Sequence, residues 1–321
     1  MRLNPRSAPW GTRIAPPKFI KIDAPPLLSI VRNPEGVSAF ISRLQQSFDR
    51  GQPVNLVLRN ITQIDYDGIT VLLSVVVRFK SKRILVKGDF PEDEGVRAIL
   101  EESGFFDYLT KKKFPDRDSY TLRSNSILTH AKTTVDSVLG EKLIAAASET
   151  VWGTKRRCPG IQRTFIELMQ NTNNHASMEK EGEKHWWLSV KHVKEEHRVA
   201  FSFVDYGVGV FYSLRHKPTS DKFYNILDRI LQIFGLSDDA EILRFIFSGD
   251  LHRTASGKPF RGKGLPGIYE AMKKNALSNF TIVTNRVFYS AQNETYRMLD
   301  NEFRGTFVYW ELSTDNISLP A

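Results

Sequence analysis

Cysteine is almost missing: the 321 residues contain one, Cys158. A single thiol excludes an internal disulfide framework and leaves no thiolate cluster for zinc, so a bound metal has to be held by oxygens. Long apolar runs are missing too. No stretch approaches the roughly 18 uninterrupted apolar residues of a membrane span, and Met1 to Phe19 carries basic residues without the apolar run of a secretion signal. The expectation is a soluble, cytoplasmic protein without a membrane partner. Internal repeats are lacking as well. What is present is globular composition, with 41% hydrophobic, 25% charged and 11% aromatic residues. The length exceeds what one core usually fills, so two domains are expected.

Basic residues number 45 against 36 acidic ones, a net charge of +9. Two runs contain bases and no acids: Arg2, Arg6, Arg13 and Lys18, and later Lys155, Arg156, Arg157 and Arg163. Contact with nucleic acid or nucleotide phosphates and a merely solubilising surface both stay open, the second being commoner.

Pro5, Pro9, Pro16, Pro17, Pro25 and Pro26 interrupt helix and sheet alike, so residues 1–26 read as an extended arm. Residues 27–115 then alternate strands and amphipathic helices. Helices are expected over Gly36 to Asp49, Gly68 to Phe79 and Asp93 to Ser103, the last closed by Gly104. Strands are expected at Val54 to Leu58 and Arg83 to Lys87. Lys111, Lys112, Lys113 and Pro115 lead into a linker over 116–126. Residues 127–321 form the second domain. Its pattern gives helices at Ile127 to Thr150, Gln162 to Ala176, Asp221 to Phe234, Ala240 to Phe247 and near Pro266 to Asn275. Strands follow at Trp186 to Val193, Arg198 to Val204, Phe280 to Thr284, Tyr296 to Leu299 and Thr306 to Leu312. The fold class is α+β, layered.

Four segments of the second domain carry chemistry. Glu167 and Asn171 are four apart, one helical turn on the same face, while Phe165, Leu168, Met169 and Thr172 can point towards a sheet. A carboxylate there can take a proton from water, and an amide oxygen suits Mg2+. A solvent face of an amphipathic helix is the plainer alternative. Asp205 ends a strand, where an adenine amino group can donate to it, and Gly207 and Gly209 let a flat base approach. An ordinary Asp-Gly turn has the same sequence. In Gly262-Lys263-Gly264-Leu265-Pro266-Gly267 the glycines free backbone amides to face phosphate oxygens, and the following helix adds its positive end. Gly305-Thr306 opens the last strand.

These four segments, in this order, resemble the GHKL ATP-binding superfamily of gyrase, heat-shock chaperone, histidine kinase and mismatch-repair ATPases, over roughly Ile127 to Leu312. The resemblance implies a two-layer α/β sandwich of the Bergerat fold that binds ATP with Mg2+. In it Glu167 is the general base and Asn171 the metal ligand. Asp205 with Thr306 reads adenine; Gly207, Gly209, Gly262, Lys263, Gly264, Leu265 and Gly267 line base and phosphates. One departure is Leu-Pro-Gly where the family has Leu-Gly, which removes an N–H donor. The lid region of relatives falls between the two glycine boxes, and Arg253 or Lys258 in it can reach phosphates.

The first domain resembles the STAS fold of anti-anti-sigma factors, through Ile64-Asp65-Tyr66-Asp67-Gly68-Ile69-Thr70 and the segment Val96 to Asp107. Where that family carries a phosphorylated hydroxyl this chain has Asp67, so the resemblance implies a fixed interaction or dimerisation module that recruits a protein partner. The functional expectation is a Mg-dependent ATP-binding protein and slow ATPase that switches conformation or partner. Relatives that turn over well borrow a lysine from a following domain, for which no sequence remains after the last strand. Two alternatives stay open: an anti-sigma-type serine/threonine kinase, and a non-enzymatic ATP-gated scaffold or nucleic-acid-associated protein, including a homodimer. His130, His192 and His197 lack a ligand or phosphoacceptor pattern, with His192 and His197 expected at the surface beside a hairpin turn.

Overall fold

The computed structural model describes residues 17–106, 126–132, 135–175, 185–215, 231–232, 235, 238–248 and 265–320. The first part runs β1 (Ile20–Asp23), β2 (Leu27–Leu28), α1 (Pro34–Asp49), β3 (Val54–Val57), β4 (Gln63–Ile64), α2 (Tyr66–Ser81), β5 (Val86–Gly88) and α3 (Glu94–Glu102). Local chemistry sets these boundaries. Asn33 accepts from the Gly36 amide and Pro34 opens α1; Asp93 accepts from the Val96 amide at the start of α3. Gly104, at φ +76°, follows α3 as expected for a helix stop. Strands β1, β3 and β5 form a parallel sheet, and β2 pairs with β4.

The second part runs β6 (Ser126–Lys132), α4 (Ser137–Trp152), β7 (Arg156–Arg157), α5 (Pro159–His175), β8 (His185–Val193), β9 (Arg198–Asp205), α6 (Val210–Arg215), α7 (Asp239–Ser248), α8 (Leu265–Lys273), β10 (Ser278–Ser290), β11 (Thr295–Leu312) and β12 (Leu319–Pro320). Strands β10, β11, β9, β8 and β6, in that order, form one antiparallel sheet. The helix expected over Ile127 to Thr150 is therefore a strand followed by a helix. Asp136 caps the Leu139 amide at 2.9 Å and starts α4, and His130 lies on β6 opposite Trp187. The two last strands expected at Tyr296 to Leu299 and Thr306 to Leu312 are one, because β11 runs through register shifts around Asn285 instead of stopping. The helix expected over Asp221 to Phe234 lies mostly outside the described residues.

Both faces of the five-stranded sheet are covered. On one, α4, α5, α7 and α8 pack over Trp186, Phe201, Phe203 and Trp310. Phe201 stacks on Trp310 at 5.3 Å between centroids, with Phe165 edge-on to both. Such aromatic pairs add roughly 0.5–1.5 kcal/mol beyond area burial. On the other face α1 and α2 pack over Trp187, Val204, Phe303 and Phe307, and the three-stranded sheet lies beyond them. Trp186 and Trp187 alternate along β8, so each fills a different core. The first unit thus shares a core with the second. Gln45 of α1, 3% exposed, donates to the Arg304 carbonyl at 3.2 Å and accepts from the Arg304 amide at 3.4 Å, standing in for a strand neighbour. Arg304 also pairs with Asp49, and Thr70 of α2 donates to Ser189 at 2.6 Å. No helix among the described residues is long and apolar enough to cross a membrane.

Candidate functional site

Side chains on β9 alternate between the two cores, so Asp205 at its end faces the α5 side with Phe203. Its carboxylate is 7% exposed. Oδ1 accepts from the Gly207 amide at 2.8 Å, and the Thr172 hydroxyl of α5 approaches Oδ2 at 3.5 Å. That hydroxyl has one proton, and the Leu168 carbonyl takes it at the shorter distance of 3.1 Å. Oδ2 is left short of a donor. Burial pushes the Asp205 pKa up to about 6, against the anion-favouring amides of Gly207 and Thr306 and the Thr172 hydroxyl. At neutral pH it is a buried, ionised and under-satisfied acceptor.

The turn after Asp205 is held by β10. Thr284 accepts from the Val210 amide at 3.0 Å; Asn285 accepts from the Phe211 amide at 3.2 Å and donates to the Val208 carbonyl at 3.1 Å. Asn285 sits at a register shift with φ +52°, which aims its amide across the sheet at the turn. Gly209 has φ +76°, and a Cβ there would meet Asn285 Oδ1 at 2.4 Å. Only glycine fits. Thr306 is the β11 residue paired with Asp205, and its hydroxyl lies 3.5 Å from that of Thr284. Gly305 before it has φ +121°, with a Cβ position 2.0 Å from the Asp205 carbonyl oxygen.

The structure therefore brings Asp205, Gly207, Gly209 and Thr306 together at the end of β9. Glu167 and Asn171 both lie half-buried on α5, the helix whose Thr172 meets Asp205. Glu167 has 13% of its side chain exposed and Arg163 Nε at 3.9 Å. Leu265 and Gly267 are buried in the first turn of α8, which packs beside α5. Gly262, Lys263, Gly264, Arg253 and Lys258 lie outside the described residues. No cluster of three or more histidine, cysteine or acidic side chains suited to a metal occurs among the described residues.

Thr172, Thr284 and Asn285 join this cluster without having been singled out by a motif. The facing of Thr172 was readable from helical spacing; the other two come from a strand some eighty residues after the turn they hold. His192 corrects an expectation. It is 3% exposed, not superficial, with Nδ1 at 2.7 Å from the Thr150 hydroxyl, and burial holds its pKa down at about 4. His197 is exposed at φ +47° in the hairpin turn, as expected. Cys158 is buried, its thiol pushed up to about 11 by burial, which removes it as a nucleophile. Comparison with protein-family models, with curated proteins and with solved structures gives no match.

Proposed function

We propose that the site at Asp205 binds the adenine of ATP and that the protein is a Mg-dependent ATP-binding switch with slow ATPase activity. The observation that carries this reading is the under-satisfied Oδ2 of Asp205 beside a turn whose backbone is pinned by Thr284 and Asn285. An exocyclic amine supplies the missing donor, and a turn without side chains at Gly207 and Gly209 leaves room for a flat ring. Thr306 stands next to Asp205 to contribute a hydroxyl. Along α5, one turn separates Asn171 from Glu167 in the direction away from Thr172.

In this reading the Asn171 amide oxygen holds Mg2+ and Glu167 accepts the proton of the attacking water. Arg163 stands beside it, with Nε 3.9 Å from the Glu167 carboxylate. Bound Mg2+ supplies charge neutralisation of the phosphates. The amides at the start of α8, behind Leu265 and Gly267, offer the phosphates their positive helix end. Asp67 has no hydroxyl to accept a phosphoryl group, so the first unit acts as a fixed interaction module.

Calorimetric titration with ATP and MgCl2, set against GTP, tests the reading. A guanine presents an acceptor where adenine presents its amine, so GTP binds at least about a hundredfold more weakly. No heat with ATP, or equal affinity for both, overturns it. With γ-labelled ATP, Glu167→Ala is expected to abolish phosphate release while binding persists; retained release removes Glu167 as the base.

A further inference from the structure

On the opposite face of the five-stranded sheet from Asp205 lies a cavity of ≈ 660 Å³. It opens between the start of α2, the loop before α1, and the ends of β8, β9, β10 and β11. Small-molecule sites fall in the range of roughly 300–1,000 Å³. Ser29, Asp67, Lys191, Ser202, Tyr309 and Glu311 are among the lining residues, set in a largely apolar wall.

The two carboxylates that line it most deeply differ in one respect. Glu311 is saturated: Arg198 donates to Oε1 at 2.7 Å, Tyr309 donates to the same oxygen, and Asn279 donates to Oε2 at 2.6 Å. Asp67 is not. Its Oδ2 accepts from the Ser29 hydroxyl at 3.0 Å and the Val31 amide at 2.9 Å, whereas Oδ1, on a residue 3% exposed, has no hydrogen-bond partner. A buried oxygen left this way is destabilising, the more so when the group is charged. Burial pushes the Asp67 pKa up to about 6, so at neutral pH the group is still an anion.

A complementary deficiency stands on the facing wall. Lys191 of β8 donates to the Tyr66 hydroxyl at 3.3 Å and lies over the Tyr66 ring at 4.4 Å. No carboxylate among the described residues lies within ion-pair distance of it. Tyr66 directly precedes Asp67, so a cation without an anion and an anion without its full set of donors both border the cavity near the first turn of α2.

We propose that this cavity binds a small zwitterion of the amino-acid class, its ammonium group donating to Asp67 and its acid group accepting from Lys191. An ammonium carries three donors, enough for Asp67 Oδ1 together with lining hydroxyls such as that of Ser202. The acid replaces the neutral Tyr66 hydroxyl as the partner of Lys191, a charge-assisted bond of roughly twice the strength. Because the cavity lies on the other face of the sheet, the proposal stands apart from the nucleotide reading.

The experiment is thermal denaturation of the full chain, without nucleotide, at pH 7.5 in the presence of each of the twenty amino acids at 10 mM. Putrescine supplies ammonium groups alone and succinate acid groups alone. One or more amino acids are expected to raise the melting temperature, with putrescine and succinate inert. By calorimetry, Asp67→Asn and Lys191→Met are each expected to weaken that amino acid at least tenfold. Lys191→Met changes a half-buried side chain at the cavity rim and keeps the test valid if the Asp67 variant folds poorly. No shift with any amino acid, as for a cavity filled by water alone, overturns the proposal. So does a shift matched by putrescine or succinate, or unchanged affinity in both variants.

Discussion

Replacing Asp205 by asparagine keeps the size and shape of the side chain and removes its charge. In the folded protein burial lifts the Asp205 pKa from 3.8 to about 6. A rise of that size means that ionising the folded form at neutral pH costs about 3 kcal/mol relative to the unfolded chain. The folded pKa is the higher one, so the contribution to stability is fully present below pH 3.8 and is lost as pH rises through about 6. Between pH 5 and pH 7.5 the wild type forfeits about 1–1.5 kcal/mol through this group. Asp205→Asn escapes that loss but gives up charge-assisted bonds from the Gly207 and Thr306 amides. The expected balance at pH 7.5 is a variant more stable by about 1–2 kcal/mol, or roughly 2–6 °C in melting temperature. At pH 5 most of that advantage disappears. Asp67 and His192 also titrate in this range, but they are common to both proteins and cancel in the difference. Affinity for ATP moves the other way. With the asparagine oxygen held by Gly207, the new NH2 points where adenine's amine would be, donor against donor, and binding falls at least tenfold. Urea denaturation at the two pH values and calorimetry with ATP read both effects. A stability difference between the two proteins that is the same at pH 5 and pH 7.5 refutes the buried, ionised state of Asp205.

Gly305→Ala places a methyl 2.0 Å from the Asp205 carbonyl oxygen at φ +121°, and is expected to destabilise by about 3 kcal/mol or more, seen as a lower urea midpoint. Gln45→Ala leaves the amide and carbonyl of Arg304 without their partner beneath α1, costing about 1–3 kcal/mol in the same assay. His192 is a base whose folded pKa, about 4, lies below the unfolded value of 6.5. Its contribution is therefore intact above pH 6.5 and lost as pH falls towards 4, and His192→Gln is expected to flatten the acid limb of the stability profile; an unchanged limb assigns that limb to other groups.

How much of this could be read beforehand depends on the range of the interaction. The helix α3 was legible because Asp93 and Gly104 signal its ends locally, and α1 because of its amphipathic period, although the cap at Asn33 starts it at Pro34, two residues before the expected Gly36. The spacing of Glu167, Asn171 and Thr172 is likewise a local helical fact. The strand β6 was misread as helix because Leu128, Ala131 and Lys132 suit either, and only the pairing of Ser126–Lys132 with β8 decides. The length of β11 was missed for a related reason. Asp300, Glu302 and Arg304 look like a loop, yet register shifts carry the strand through them. The clamp formed by Thr284 and Asn285 has no local signal at all, since its value comes from a turn about eighty residues earlier. Burial of α2 on both sides did have a signal. From Ile69 to Phe79 the polar residues are Thr70, Ser74 and Arg78, a narrow row of one per turn, and apolar residues cover the rest of the circumference, as in a helix that lies between two layers.

The alternation of a β-strand also links the two units at one peptide bond. Asp205 faces the α5 side, and Tyr206 next to it faces α2. The Tyr206 hydroxyl lies 2.9 Å from Ser74 Oγ and donates to the Val71 carbonyl at 3.2 Å; Arg78 lies over its ring at 4.7 Å, and Phe303 packs beside it. Anything that rotates the backbone at Asp205 to reach a ligand must also move a phenol held by three residues of α2. The converse holds equally, because a coupling free energy between two sites is reciprocal. The Ser74 and Val71 contacts together represent about 1–3 kcal/mol, which converts to a change of about five- to 150-fold in an equilibrium constant if one state breaks them. That range suffices for a switch. The same helix begins at Tyr66 and Asp67, so a molecule seated at its first turn acts on the element that Tyr206 grips two turns further on. A route from the cavity to the Asp205 turn thus runs through α2 alone, without a hinge or a displaced domain.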